Sequence, residues 1–332
     1  MKLFIIIFFL TIKIYALDIT PYFSKTTGAY YQDGVDRVII KDIDQAKDKI
    51  EMAMYYLTNK EITKSLIDAH KRGVKIKIFT DDKKVRSQRY RYLASEGIDI
   101  RNDKNPKAIM HNKFLVIDQR LVWISSANYT VYSFYRNYDN FIRINDKDFA
   151  RYYRNKFDSL FYRYRFIHRP FRDSKLAVYF SPEHNFKQEL LKQIRKAKSS
   201  IKFLAFAFTD RDIAYALINA KRRGVKIHGV YDKAQNDYQK YSTYKMLKSH
   251  QINVKLDKNR YKLHSKVFII DKKTVITGSY NFTKSANSLN AENSVIIKDI
   301  PNGATKVRLE AAKLYLRVND ISRDYKERLD DI

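Results

Sequence analysis

His111 and Lys113 stand two residues apart in the stretch IMHNKFLVID, and His264 and Lys266 repeat that spacing in YKLHSKVFIID. Each pair is followed by an apolar run and a carboxylate, Asp118 or Asp271. Along a β-strand, residues two apart point to the same side, so each histidine shares a space with its lysine. An imidazole serves near neutral pH as a nucleophile or a general acid. An ammonium is a point charge suited to a phosphate oxygen. Downstream come the short polar turns SSAN and GSYN, which place Ser126, Asn128, Ser279 and Asn281 as hydrogen-bond donors to non-bridging oxygens. Further on, Asp139 follows His111 by 28 residues, and Glu292 follows His264 by 28. A carboxylate on one ring nitrogen holds a histidine in one tautomer and raises its basicity. Equal spacing points to each carboxylate serving the histidine of its own copy.

The elements that must position these groups also occur twice. LIDAHKRGVKIKIFTDD at 66–82 matches LINAKRRGVKIHGVYDK at 217–233, and HNKFLVIDQRLVWISSANYT at 111–130 matches HSKVFIIDKKTVITGSYNFT at 264–283. The chain is thus a tandem duplication. Apolar runs of strand length, such as IEMAM and IKFLAFA, precede segments with helical spacing that stop at Gly73 and Gly224. Continuous apolar strands alternating with helices predict an α/β fold with mixed, mostly parallel sheets covered on both faces. The expected organisation is a lobe over 17–165, a linker over 166–175, a second lobe over 176–300, and a C-terminal helix and tail over 301–332. In DFARYYRNKFDSLFYRYRF, the rings of Phe149, Tyr153, Phe157, Phe161 and Tyr164 keep helical spacing. That pattern reads first as a packed amphipathic helix and second as a stacking platform for bases.

The formal charge of +29 over 332 residues predicts attraction to polyanions: nucleic acid, an anionic membrane or an acidic substrate. The basic tracts KKVRSQRYRY and RNDKNPK lead into His111. The chain has no cysteine, which excludes disulfides, thiol nucleophiles and cysteine–zinc sites. No clustered His/Asp/Glu set suited to a metal is visible, and no cofactor is expected. Residues 1–16 carry a basic start, an apolar run from Leu3 to Ile12 and a small residue, Ala16. They read as a secretory signal peptide, with an uncleaved membrane anchor as the alternative, so export to the periplasm or medium is expected.

H-x-K-x4-D followed by a small-Ser-x-Asn turn resembles the phospholipase D superfamily, and TGSYNFT is most similar to that family's exported bacterial endonucleases. The resemblance spans nearly all of 35–300. It implies two similar α/β/α lobes related by a pseudo-twofold, with both H-x-K strands meeting at one site complete within a single chain and needing no protein partner. It implies two-step phosphodiester transfer without a metal, through a phosphohistidine. His111 would be the nucleophile and His264 the acid. Lys113, Lys266, Asn128 and Asn281 would hold the phosphate, while Asp118 and Asp271 would be structural. The substrate expected first is DNA or RNA, cleaved with little sequence preference. Phospholipid, turned over by a phospholipase D or phosphatidyl transferase, is second. An inactive nucleic-acid-binding protein is third.

Overall fold

The computed structural model describes residues 18–24, 34–237 and 240–298. The expected signal peptide and the C-terminal helix and tail lie outside them. No helix among the described residues is long and apolar enough to cross a membrane.

The first lobe runs β1 (Asp18–Phe23), α1 (Val35–Asp44), β2 (Lys49–Met54), α2 (Lys60–Lys71), β3 (Lys75–Thr80), α3 (Gln88–Ser95), β4 (Asp99–Asn102), β5 (Lys113–Ile117), β6 (Leu121–Ser125), α4 (Val131–Tyr135) and β7 (Asn140–Asn145). Helix α5 (Lys147–Tyr162) and the short β8 (Phe171–Arg172) lead out of it. The second lobe runs β9 (Leu176–Ser181), α6 (Phe186–Lys196), β10 (Ser200–Ala205), α7 (Arg211–Arg222), β11 (Lys226–Tyr231), α8 (Lys233–Asn236), α9 (Tyr244–Ser249), β12 (Asn253–Leu256), β13 (Lys266–Ile270), β14 (Thr274–Gly278), α10 (Lys284–Ser288) and β15 (Glu292–Ile297). Residues 166–175, expected as a bare linker, contribute a buried Phe166 and the strand β8, which pairs with β9.

Local signals in the chain explain the boundaries. The side chains of Asn59 and Asp210 accept the backbone N–H of Ile62 and Ile213, capping the equivalent helices α2 and α7. Gly73 and Gly224 end those helices at φ of 94° and 90°, a region that side-chain-bearing residues enter at a cost. Thr130 and Thr283 cap α4 and α10 in the same way.

The strand orders are β1-β7-β6-β5-β2-β3-β4 and β12-β11-β10-β13-β14-β15-β9-β8. Both sheets are mixed, as expected, but they are not mostly parallel. In the first, β2–β3 and β3–β4 are parallel and the four other pairings antiparallel. In the second, β10–β11 and β11–β12 are parallel and the five others antiparallel. The apolar strands reported burial on both faces, which antiparallel hairpins such as β5–β6 and β13–β14 achieve equally well.

Three apolar layers result. Helices α1, α2 and α3 cover the outer face of the first sheet, and α6, α7 and α9 cover that of the second. Between the sheets, Phe114, Val116, Val267 and Ile269 share one core with the α5 residues Phe149, Tyr153, Phe157 and Phe161. These four α5 rings are fully buried, so they are packing and not an open platform, while Tyr164, beyond the helix end, is exposed.

Candidate active site at the lobe interface

Lys113 opens β5 and Lys266 opens β13. Each histidine lies two residues upstream, in an extended segment that pairs with the other lobe. Met110 bridges to Ala291, and the equivalent Leu263 bridges to Tyr138. The His111 N–H donates to the Ala291 carbonyl at 2.9 Å, and the His264 N–H to the Tyr138 carbonyl at 2.9 Å. These reciprocal contacts lie on the pseudo-twofold and bring the two H-x-K segments together.

The carboxylates cross over. His111 Nδ1 lies 2.8 and 3.0 Å from the two oxygens of Glu292, and His264 Nδ1 lies 2.9 Å from Asp139 Oδ1. Each histidine is therefore oriented by the opposite copy, which corrects the expectation from equal spacing. The reason is topological. Asp139 stands at the start of β7, which β6 separates from β5, about 10 Å away at ordinary strand spacing. The twofold brings the other lobe's histidine much closer. With Nδ1–H donated to a carboxylate, Nε2 carries the lone pair. Neither Nε2 has a protein partner or is sealed from solvent, and the side chains of His111 and His264 remain 12% and 10% exposed.

Ser126 and Ser279 do not face the open space. Both are fully buried, Ser126 donates to Asp139 Oδ1 at 2.6 Å, and Ser279 donates to Glu292. Their hydroxyls also accept the N–H of Asn140 and Asn293, so they lock the carboxylates in place. Asn128 and Asn281, at the ends of the neighbouring strands, keep buried side-chain oxygens without a protein partner, so the fold does not consume these amides. Asp118 and Asp271 sit at the far ends of β5 and β13. Asp118 accepts the N–H groups of Lys47, Asp48 and Lys49, and Asp271 those of Lys198, Ser199 and Ser200. They pin the approach to β2 and β10 and take no part in the cluster.

The electrostatics mark one continuous site. Burial pushes Lys113 down to about 7, and Lys266 adds to this against the pull of Glu292. Burial pushes Lys266 down to about 8, opposed by Asp139 and Glu292. Burial together with Lys266 pushes His264 down to about 4, despite Asp139. His111 is lowered by burial too, with Glu292 opposing. Burial alone would raise Asp139, but His264, Lys266 and Ser126 hold it below the usual carboxylate range. Each lysine donates its Nζ to the carbonyl of its own histidine, His111 or His264, which fixes the ammonium beside the ring.

Several contributors were not identified from sequence. Tyr55 packs edge-on to His111 with centroids 5.5 Å apart, and its counterpart Phe206 does the same to His264 at 4.6 Å. Asp81 accepts the N–H of Met110, and Asp232 that of Leu263, bracing each segment just before its histidine. The aligned aspartates of FTDD and VYDK were the available signal. The fold also gathers Asp81, Asp82 and Asp103 within 4.8 Å of one another, a carboxylate cluster that sequence reading did not anticipate. Asp81 accepts the N–H groups of Met110 and Lys83, and Asp103 that of Asp82, while Asp82 Oδ1 is buried without a partner.

The profile of one family, described as "Cardiolipin synthase, PLD-like domain", matches residues 39–161 and again 190–313. A phospholipase D of Rickettsia conorii is 44% identical over 126 residues, which cover 38% of this chain and 62% of that protein. The phosphatidylserine synthase of Haemophilus influenzae has the same fold, with a TM-score of 0.66 at 16% identity over 90% of this chain and 86% of that one. The phospholipase D family member Nuc of Salmonella typhimurium is 35% identical over 45% of this chain and 93% of its own, with a TM-score of 0.41. The doubled profile match covers most of the chain, and each copy contains one H-x-K motif, so the chain belongs to the phospholipase D superfamily.

Proposed function

We propose that the protein is a metal-independent phosphodiesterase that cleaves nucleic acid through a phosphohistidine. The observation that carries the substrate class is the character of the rim. Lys84 lies over Tyr55 and Tyr56 at 5.3 and 5.0 Å, and Lys262 lies over Phe206 at 5.7 Å. The large apolar side chains exposed among the described residues are six tyrosines, Ile167 and Leu289, which offer no shelf for acyl chains. Cations interleaved with rings suit a polyanion carrying bases.

In the first step a neutral imidazole attacks phosphorus through Nε2, and the bond to the leaving oxygen breaks. The second imidazole, protonated, gives its proton to that oxygen. Water then passes a proton back to the second imidazole and attacks phosphorus. The phosphorus–nitrogen bond breaks, and a phosphomonoester leaves. Lys113, Lys266, Asn128 and Asn281 stabilise the charge on the non-bridging oxygens throughout. The family resemblance assigns His111 as nucleophile. The electrostatics support the reverse. Burial lowers both imidazoles, His264 to about 4 with Lys266 beside it. His111 faces both oxygens of Glu292, the better setting for a proton to reside when an anionic phosphate enters.

A lipid reading has its own support in the names of two similar proteins, a phospholipase D and a phosphatidylserine synthase. The deciding measurement presents single-stranded DNA, plasmid, RNA and labelled phospholipid vesicles in EDTA to wild type and His264→Ala. The nuclease reading expects nucleic-acid cleavage that the variant lacks and that weakens steeply with salt. Headgroup release with intact nucleic acid would overturn it. Acid quenching during turnover, followed by peptide mapping, should find the phosphoryl group on His264.

A further inference from the structure

The two mouths of the site are chemically unequal. At one, the Arg136 guanidinium lies 4.4 Å from the ring centre of Tyr132 and 5.2 Å from that of Tyr261. The two rings meet edge-on with centroids 6.0 Å apart. Tyr132 and Arg136 belong to the first lobe and Tyr261 to the second, so the cluster straddles the interface. It is held there by Asn259, whose side-chain amide donates to the Arg136 carbonyl at 3.1 Å. Tyr132 is 54% exposed. Arg136 Nε is buried and has no hydrogen-bond partner, an uncommon state for a guanidinium. The repeat places Ser285, Leu289 and Ala108 at the corresponding positions of the other mouth, where no such cluster can form.

The cluster is tied directly to the catalytic groups. Arg136 precedes Asp139 by three residues and Tyr261 precedes His264 by three. The two segments run side by side, with the Tyr138 N–H donating to the Lys262 carbonyl at 2.8 Å. Three extended residues span about 10 Å, within reach of the nucleotides next to a phosphate held at the histidines. A guanidinium flanked by rings meets a phosphate with its outer Nη groups, while the rings offer faces to an unpaired base.

We infer that Tyr132, Arg136 and Tyr261 form a subsite for an unpaired nucleotide on one side only of the scissile phosphate. A strand would therefore be held with a defined direction, and single strands would be preferred over duplex. This rests on the nuclease reading.

The test uses the full chain with single-stranded oligonucleotides carrying one abasic residue at successive positions around a single cleavable linkage. A small chromogenic phosphodiester serves as the reference substrate. In wild type, abasic substitution should slow cleavage about tenfold at positions on one side alone. Arg136→Ala and Tyr132→Ala should lower kcat/KM on the intact oligonucleotide at least tenfold more than on the small diester, and should abolish the abasic effect. Leu289→Ala, at the mirror position, should behave as wild type. Equal losses on both substrates would mean a structural role and overturn the subsite, as would an abasic effect equal on both sides. A wild type that cleaves no nucleic acid defeats the nuclease reading itself. A wild type that cleaves it and is indifferent to Arg136→Ala defeats the subsite alone.

Discussion

The His111 half of the site and the His264 half share a skeleton, with matching lysines, serines and asparagines, and differ in the carboxylate and the ring that touch each histidine. His111 faces two oxygens of Glu292, whereas His264 faces one of Asp139. Tyr55 packs on the first ring and the wholly apolar Phe206 on the second, at a shorter distance. Lys262 sits beside Phe206, where the repeat has Ile109 in the other half. Duplication thus supplies a symmetric pair of imidazole–ammonium groups, the proposed cradle for phosphorus. Divergence of the surroundings sets the two imidazoles apart, as the proposed two-step transfer would need, since one ring would attack while the other holds a proton.

The hardest way to break the comparison is to delete a ring. His264→Ala and His111→Ala should each lose on the order of 10⁴-fold in kcat, and the double variant should lose little more, because the pair acts as a unit. Only the His111→Ala enzyme should still accumulate a phosphorylated intermediate, from substrates with good leaving groups. Accumulation in His264→Ala instead would reverse the assignment of roles.

The crossed carboxylates come next. Glu292→Gln and Asp139→Asn should each reduce kcat by between roughly 10²- and 10⁴-fold. Imidazole titration by NMR reads the pairing directly. Glu292→Gln should lower His111 more than His264, and Asp139→Asn the reverse. A shift confined to the histidine of the same copy would refute the cross-lobe geometry.

A smaller effect sharpens the comparison through pH. As the proposed nucleophile, His264, lowered to about 4, must be neutral, so kcat/KM should rise with pH through an acid limb near that value. The proposed acid His111, itself lowered by burial, loses its proton first, and Lys113 and Lys266, lowered to about 7 and 8, lose their charge above those values, so kcat/KM should fall in stages on the alkaline side. A flat profile from pH 7 to 9 would remove the lysines from phosphate binding.

The smallest effect is on stability. A lysine whose folded value lies below its unfolded value binds fewer protons when folded, so stability rises with pH between the two. For Lys113 that window runs from about 7 to 10.5. Lys113→Met should accordingly raise Tm at pH 7 by roughly 2–4 °C per kcal/mol of relieved burial, and inorganic phosphate should stabilise wild type more than the variant.

Much of this was legible in the chain because it is local. The spacing His-x-Lys puts two side chains on one face of any strand, and a second copy in register makes chance an inadequate explanation. Gly73 and Gly224 end helices wherever those helices lie, and the rings along α5 announce burial by their period alone. The duplication itself implied a twofold. What the chain alone could not express is whatever depends on how the two copies meet. The 28-residue interval from His111 to Asp139 suggested a partnership that β6 prevents. The serines looked like phosphate donors until their hydroxyls were found bound to carboxylates on β7 and β15. Strand direction was hidden because a strand buried on both faces has the same composition whether its neighbours run parallel or antiparallel. Residue types and spacing determined which groups are available for chemistry. Only the packing of one lobe against the other decided which histidine each carboxylate orients, because that pairing is set by strand order and the interface and not by distance along the sequence.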